Sequence, residues 1–377
     1  MDKCIFVIDP QSVNSLARYD YCMLEKVLKP KIFFFGNKAY NDDEFNPNVR
    51  FFPIFTYTNY KNCFFKGLSY TLSLIVILIY AFRYRPAAFH MQWIRLWEID
   101  WLFIRTLINI IGCKLIFTVH NILPRKCNAK IERRYSALYH RANKLIAHTE
   151  TSKNAIIQKF SVSELNIIVM PHGILEMKVN PYELKVTEFN LEQKYKFGNK
   201  LIFSSLGVQS KYKGTDLLLK AWCSSPILMK DDNKILLIAG KPSDIDFPKS
   251  LPKNVIIIPR LLSNAEFKWL LRRTDVMVLP YRAIDQSGVL LSLIQYRKPY
   301  CATNVGELQL PLNHADVGWK IDKITAVSIS KVLEKIVLNP DEIVKKKNNV
   351  HGWMELLEMN SWENSNRILS ELYLQYI

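Results

Sequence analysis

The stretch 275–306, DVMVLPYRAIDQSGVLLSLIQYRKPYCATNVG, decides the fold. Val276, Met277, Val278 and Leu279 form a short apolar run closed by Pro280, which reads as a buried parallel strand. A polar loop, Tyr281 to Gln286, follows, and Ser287-Gly288 opens an apolar segment, Val289 to Tyr296, long enough for a buried helix. Pro299 to Thr303 reads as a second strand ending at Asn304-Val305-Gly306, so the unit is βαβ with its loop at the carboxyl edge of the sheet. Ligands of open α/β sheets bind at that edge. The backbone N–H groups of Ser287, Gly288 and Val289, with the positive end of the helix dipole, suit a diphosphate. Asp285 is the one acid in the loop, and it reads equally well as a helix cap or Asx turn; Ser287 reads equally as a cap.

The same geometry recurs upstream. Leu201–Leu206 reads as a strand, the loop Gly207-Val208-Gln209-Ser210-Lys211-Tyr212-Lys213-Gly214 follows, and a helix begins at Thr215. Lys211 and Lys213 are candidates to neutralise phosphate oxygens, with Gly207 and Gly214 letting the backbone turn closely; the alternative is a solvated lysine pair. In the first half, apolar β-rich runs at 3–9, 32–35, 49–55, 86–93, 114–119, 145–148 and 167–170 alternate with helical patterns, so a parallel sheet is expected. His120 stands just past one of these strands, with Asn121 beside it able to orient a hydroxyl. His172, in Pro171-His172-Gly173, suits a hinge or packing role. No histidine approaches metal-ligand spacing.

With 377 residues the chain is long enough for two domains. Its seven cysteines are odd in number and never in a CxxC pair, which argues against a disulfide frame or a zinc site and for a reducing compartment. The net charge is +17, and residues 1–150 carry 21 Lys/Arg against 11 Asp/Glu. No nucleic-acid-binding signature accompanies this charge, which leaves an anionic membrane face or a basic solvated surface. Residues 67–82, GLSYTLSLIVILIYAF, carry no charge, yet fall short of the roughly 20 residues a bilayer core needs; a buried helix is expected in preference to a membrane-dipping one. The first strand is too short for a signal peptide. Residues 176–199 lose periodicity and read as an interdomain connection.

Taken in order, PAAFHMQW, KLIFTVHNILPR, LIAHTETSKNAI, VMPHGI, LGVQSKYKGTDLLLKAW, ILLIAGKP, DVMVLPYR and SGVLLSLIQYRKPYCATNVGE resemble glycosyltransferase family 4, and the closing WENSNRILSELY resembles that family's last helix. The resemblance implies an α/β GT-B fold: two Rossmann-like domains facing across a cleft. It places an acceptor-side domain at 1–178, a linker at 179–199, a nucleotide-sugar-binding domain at 200–358, and a final helix at 359–377 returning to the first domain. It implies that Lys213 meets the donor diphosphate, that Ser287, Gly288 and Val289 cradle it, and that His120 lies near the transferred sugar, with Asp285 as a second catalytic candidate. Gly207 and Lys211 complete the donor side, and Asn14 and Asn121 the acceptor side. It implies retention of anomeric configuration with no metal or other cofactor. Leaving-group stabilisation by fixed donors suffices for a departing nucleotide diphosphate. The sequence departs from the family at Val208, where an arginine is expected, and at Ile284 and Ser292, where carboxylates are expected. The expected activity is sugar transfer from a nucleotide diphosphate to a lipid-linked or saccharide acceptor in bacterial polysaccharide assembly, at the cytoplasmic membrane face. A noncatalytic GT-B partner subunit is the alternative. A dinucleotide-dependent reductase is disfavoured because no GxGxxG follows the first strand.

Overall fold

A computed structural model describes residues 3–13, 15–38, 45–124, 127–284 and 287–377. The chain divides into two compact units, Met1–Leu175 with Asn360–Ile377, and Glu176–Met359.

The first unit holds strands β1 (Cys4–Ile8), β2 (Lys31–Asn37), β3 (Val49–Phe55), β4 (Ala88–Met91), β5 (Lys114–Val119), β6 (Lys144–Ala147) and β7 (Ile167–Val169). They form one sheet in the order β3-β2-β1-β4-β5-β6-β7, and every pairing is parallel. The strands read as continuous apolar runs because both faces are covered: Phe6, Phe33 and Phe35 enter the core on one side, Ile5, Val7 and Phe34 on the other. The last helix, Trp362–Leu374, closes the second side. Its Asn366 amide donates to the carbonyl of Cys22 at 2.9 Å, and Tyr373 OH meets His90 Nδ1 at 2.7 Å. Gly173 is demanded by this helix, since a Cβ there would lie 2.2 Å from the Trp362 ring.

The second unit holds β8 (Leu201–Leu206), β9 (Lys234–Ala239), β10 (Val255–Ile258), β11 (Val276–Leu279), β12 (Tyr300–Thr303) and β13 (Gly318–Ile321), in the order β10-β9-β8-β11-β12-β13, again all parallel. Three features depart from the sequence reading. Residues 176–199, expected as an aperiodic connection, contain the helix Pro181–Tyr195, begun by an Asn180 cap and a proline in its first turn. Only Leu191 of that helix is buried, so it has no apolar stripe for periodicity to reveal. Strand β13, GWKI, was not anticipated; it is a sheet edge in which only Ile321 is buried. The helix Cys63–Tyr84, expected to be buried, buries one face and exposes the other.

Candidate active site

In each sheet the strand order reverses at one place, between β1 and β4 in the first and between β8 and β11 in the second. The crevice outside the carboxyl ends at such a switch point is where doubly wound sheets take ligands.

In the second unit, the switch point lies between the loops after β8 and β11, and close backbone approach locks them together. Gly207 (φ +92°) and Gly214 (φ +70°) hold left-handed conformations. A Cβ on Gly214 would sit 1.9 Å from the carbonyl oxygen of Pro280, and one on Gly240 would sit 1.7 Å from that of Gly207. Gln209, fully buried, ties the first loop from within: its amide donates to the carbonyls of Gly207 (2.8 Å) and Ser205 (3.0 Å), and its Oε1 accepts from Thr215 Oγ1 (2.9 Å). Arg282 joins the two loops, with both terminal nitrogens donating to Asp216 at 2.7 Å and one also to the Lys211 carbonyl. That guanidinium holds the Asp216 carboxyl below its ordinary range.

This scaffold brings three expected donor residues together. A methyl group added at Gly207 would lie 3.4 Å from Lys213 Nζ and 3.7 Å from Val289 Cγ2. Lys213 is buried, its ammonium 5.4 Å from the centre of the Tyr281 ring. Lys211 points outward, with its backbone N–H bonded to Asp244. Val208, at the position where the family resemblance expects arginine, is 41% exposed.

The Gly288–Gln295 helix begins as expected, with Ser287 as its cap accepting from the N–H of Leu290. The N–H of Ser287, expected to be free for phosphate, instead donates to Glu307 Oε1 at 2.7 Å. The physical reason is that a buried carboxylate competes for the positive end of the helix. Gly306 (φ +54°) turns the chain to deliver it; a Cβ there would meet the Ile284 carbonyl oxygen at 2.0 Å. Glu307 was missed in the sequence because it lies beyond the next strand. The side chain of Ser292 donates to the Gly288 carbonyl at 3.0 Å, which commits it to its own helix. Asp285 lies outside the described residues, as does Asn14.

In the first unit, His120 stands in a chain of side chains crossing the ends of β4, β5 and β6. Its Nε2 meets Gln92 Oε1 at 2.9 Å, its Nδ1 faces His148 Nε2 at 3.4 Å, and His148 Nδ1 meets the Met170 carbonyl at 3.0 Å. Gln92 Nε2 lies 3.2 Å from His90 Nε2, which also meets Thr118 Oγ1 at 2.6 Å. Carbonyl oxygens only accept, so His148 carries its proton on Nδ1 and His120 on Nε2 with Gln92 so oriented. Two lone pairs then face each other between His120 and His148.

Burial, foremost, keeps these rings neutral: it lowers His90 and His148 to about 3 and His172 to about 4, and holds His120 well below its ordinary value. One face of His120 stacks on Trp93, with centroids 4.4 Å apart. The ring also borders a cavity of about 210 Å³ together with Gln92, Trp93, Asn121 and Tyr135. The indole N–H of Trp93 is buried without a partner among the described residues. Buried donors of this kind call for a ligand or water.

Beyond the end of β1, the carboxyls of Asp9 and Asp20 are both buried and lie against each other. Burial raises Asp9 to about 7, and burial together with Asp9 raises Asp20 well above its ordinary value. Both Asp20 oxygens are buried with no hydrogen-bond partner among the described residues, so an ionised Asp20 would be uncompensated and its proton is retained. The sequence reading missed this pair because Asp9 registered only as the stop of a strand.

Together, the two parallel sheets and their helices define the GT-B fold of glycosyltransferases. Sucrose-phosphate synthase from Thermosynechococcus elongatus superposes with a TM-score of 0.71 at 15% identity, covering 99% of this chain and 98% of that one. HepE of Anabaena, solved in complex with UDP, gives 0.68 at 13% identity with 100% of both chains covered. WaaG, a glycosyltransferase involved in lipopolysaccharide biosynthesis, gives 0.64 at 13% identity, covering 98% of this chain and 99% of that one. No family model matches the chain, and no curated protein matches it.

Proposed function

We propose that the chain is a retaining glycosyltransferase that moves a sugar from a nucleotide diphosphate to a lipid-linked or oligosaccharide acceptor in bacterial polysaccharide assembly, at the cytoplasmic membrane face. The observation that carries this reading is the convergence of Lys213, Gly207 and Val289 at the second sheet's switch point. In this reading the bond from the anomeric carbon to the diphosphate breaks, its electron pair leaves with the nucleotide, and Lys213 stabilises the departing charge. The acceptor oxygen forms the new bond on the same face, and its proton passes to the leaving diphosphate. His120 is neutral and its Nε2–H is committed to Gln92, so it does not act as an acid. Glu307 stands in for the carboxylates expected at 284 and 292, holding the sugar hydroxyls from the start of the Gly288–Gln295 helix.

The test is turnover of nucleotide sugars by the purified protein, read as nucleotide release and as the anomer of the product. Glu307→Gln, which keeps the bond to Ser287, is expected to lower turnover by about tenfold or more with little change in melting temperature. Unchanged turnover removes Glu307 from the site. A noncatalytic partner subunit is the second reading, favoured by Ile284 and Ser292 at the carboxylate positions. It predicts turnover only when a second protein is added.

A further inference from the structure

The helix Cys63–Tyr84 is apolar enough and, at 22 residues, long enough to cross a bilayer, but its packing forbids that. Leu74, Ile77 and Ala81 are buried in the first unit's core, Ser73 Oγ donates to the Ile54 carbonyl at 2.9 Å, and Tyr70 OH to Asp100 at 2.6 Å. No described residue covers the opposite face. Phe64, Leu68, Leu72, Ile75, Ile79 and Phe82 recur at spacings of three and four and are each 46–70% exposed, forming one continuous stripe. A stripe this long and apolar is unusual on a solvated surface.

Charge indicates what covers it. Lys61 and Lys66 stand at one end and Arg83 and Arg85 at the other, all exposed, and no Asp or Glu occurs between Glu44 and Glu98. Beside the stripe, and sharing Leu68 and Leu72 with it, runs a groove of about 360 Å³ bordered also by Ile54, Tyr60, Phe65 and Val76. We propose that this face lies flat on an anionic phospholipid bilayer, its stripe at the acyl boundary, an acyl chain in the groove and the four basic side chains among headgroup phosphates. The inference deepens the membrane part of the proposed function by naming the surface that makes contact, and it is independent of the sugar chemistry.

The test is co-sedimentation of the full chain with vesicles of phosphatidylcholine alone or mixed with phosphatidylglycerol. The protein is expected to bind the mixed vesicles roughly tenfold or more tightly than the neutral ones, and to lose that preference in high salt. Leu72→Glu/Ile79→Glu is expected to weaken binding roughly tenfold or more, with melting and nucleotide binding unchanged; Phe64→Ser replaces it if the double variant does not fold. Replacing Lys61, Lys66, Arg83 and Arg85 by glutamine is expected to abolish the preference for phosphatidylglycerol. Indifference of the wild type to both vesicles, or wild-type binding by the stripe variant, overturns the proposal. So does a dimer that the stripe variant dissociates, because the stripe then covers a second copy. Loss of nucleotide binding with vesicle binding intact would count against the transferase reading and leave this one standing.

Discussion

Lys213→Ala is expected to lower kcat/KM by about 10²–10³-fold while the protein remains folded. The ammonium is held at one place by its position beside Gly207 and Val289 and over the Tyr281 ring, in a loop pinned by Gly214 against Pro280. A charge fixed where negative charge develops needs no reorganisation at the moment of reaction, and burial strengthens its field. Alanine removes that charge and leaves the Gln209 and Arg282 bonds of the loop in place. Nucleotide release and thermal melting measured on the same preparation check this. Turnover within about threefold of wild type would place the diphosphate elsewhere.

Acid is expected to weaken the first unit between about pH 6 and 4.5. His90 and His148 are buried and His120 and His172 half-buried, all neutral, with folded pKa values below the unfolded value near 6.5. Below pH 6.5 the unfolded chain binds protons that the folded chain refuses, so each histidine removes about 1.4 kcal/mol of stability per pH unit. That loss runs to about pH 4 for His172 and to about 3 for His90 and His148. Asp9 and Asp20 act in the opposite sense. Their raised folded values make the pair most favourable at low pH, with that contribution lost as pH rises from about 4 towards 7. Asp100, raised to about 6 by burial, acts in the same sense as Asp9 and Asp20, and four histidines against three carboxyls leave a shallow fall in melting temperature from about pH 6 to 4.5. A flat profile across that window would mean that the histidine chain is hydrated when folded.

The fold was legible wherever burial on both faces produced unbroken apolar runs, as in Cys4–Ile8 and Val276–Leu279. It was not legible where an element buries little: strand β13 sits at an edge, and the Pro181–Tyr195 helix buries only Leu191. The donor loops could be read because glycines and lysine stand next to each other in the chain. The contacts that complete the site are long-range. Gln92, His120 and His148 succeed one another at intervals of 28 residues, each at the end of a neighbouring strand, so only the sheet order joins them. Glu307 reaches Ser287 from 20 residues away for the same reason.

Thermal melting with UDP, GDP and ADP decides whether the loops after β8 and β11 hold a nucleotide diphosphate. A ligand that binds only the folded state at 100 times its dissociation constant stabilises by about 2.7 kcal/mol. A rise in melting temperature is expected with one of the three for the wild type, none with NAD, and loss of that rise in Lys213→Ala. No rise with any nucleoside diphosphate, or an undiminished rise in Lys213→Ala, would contradict a diphosphate site there.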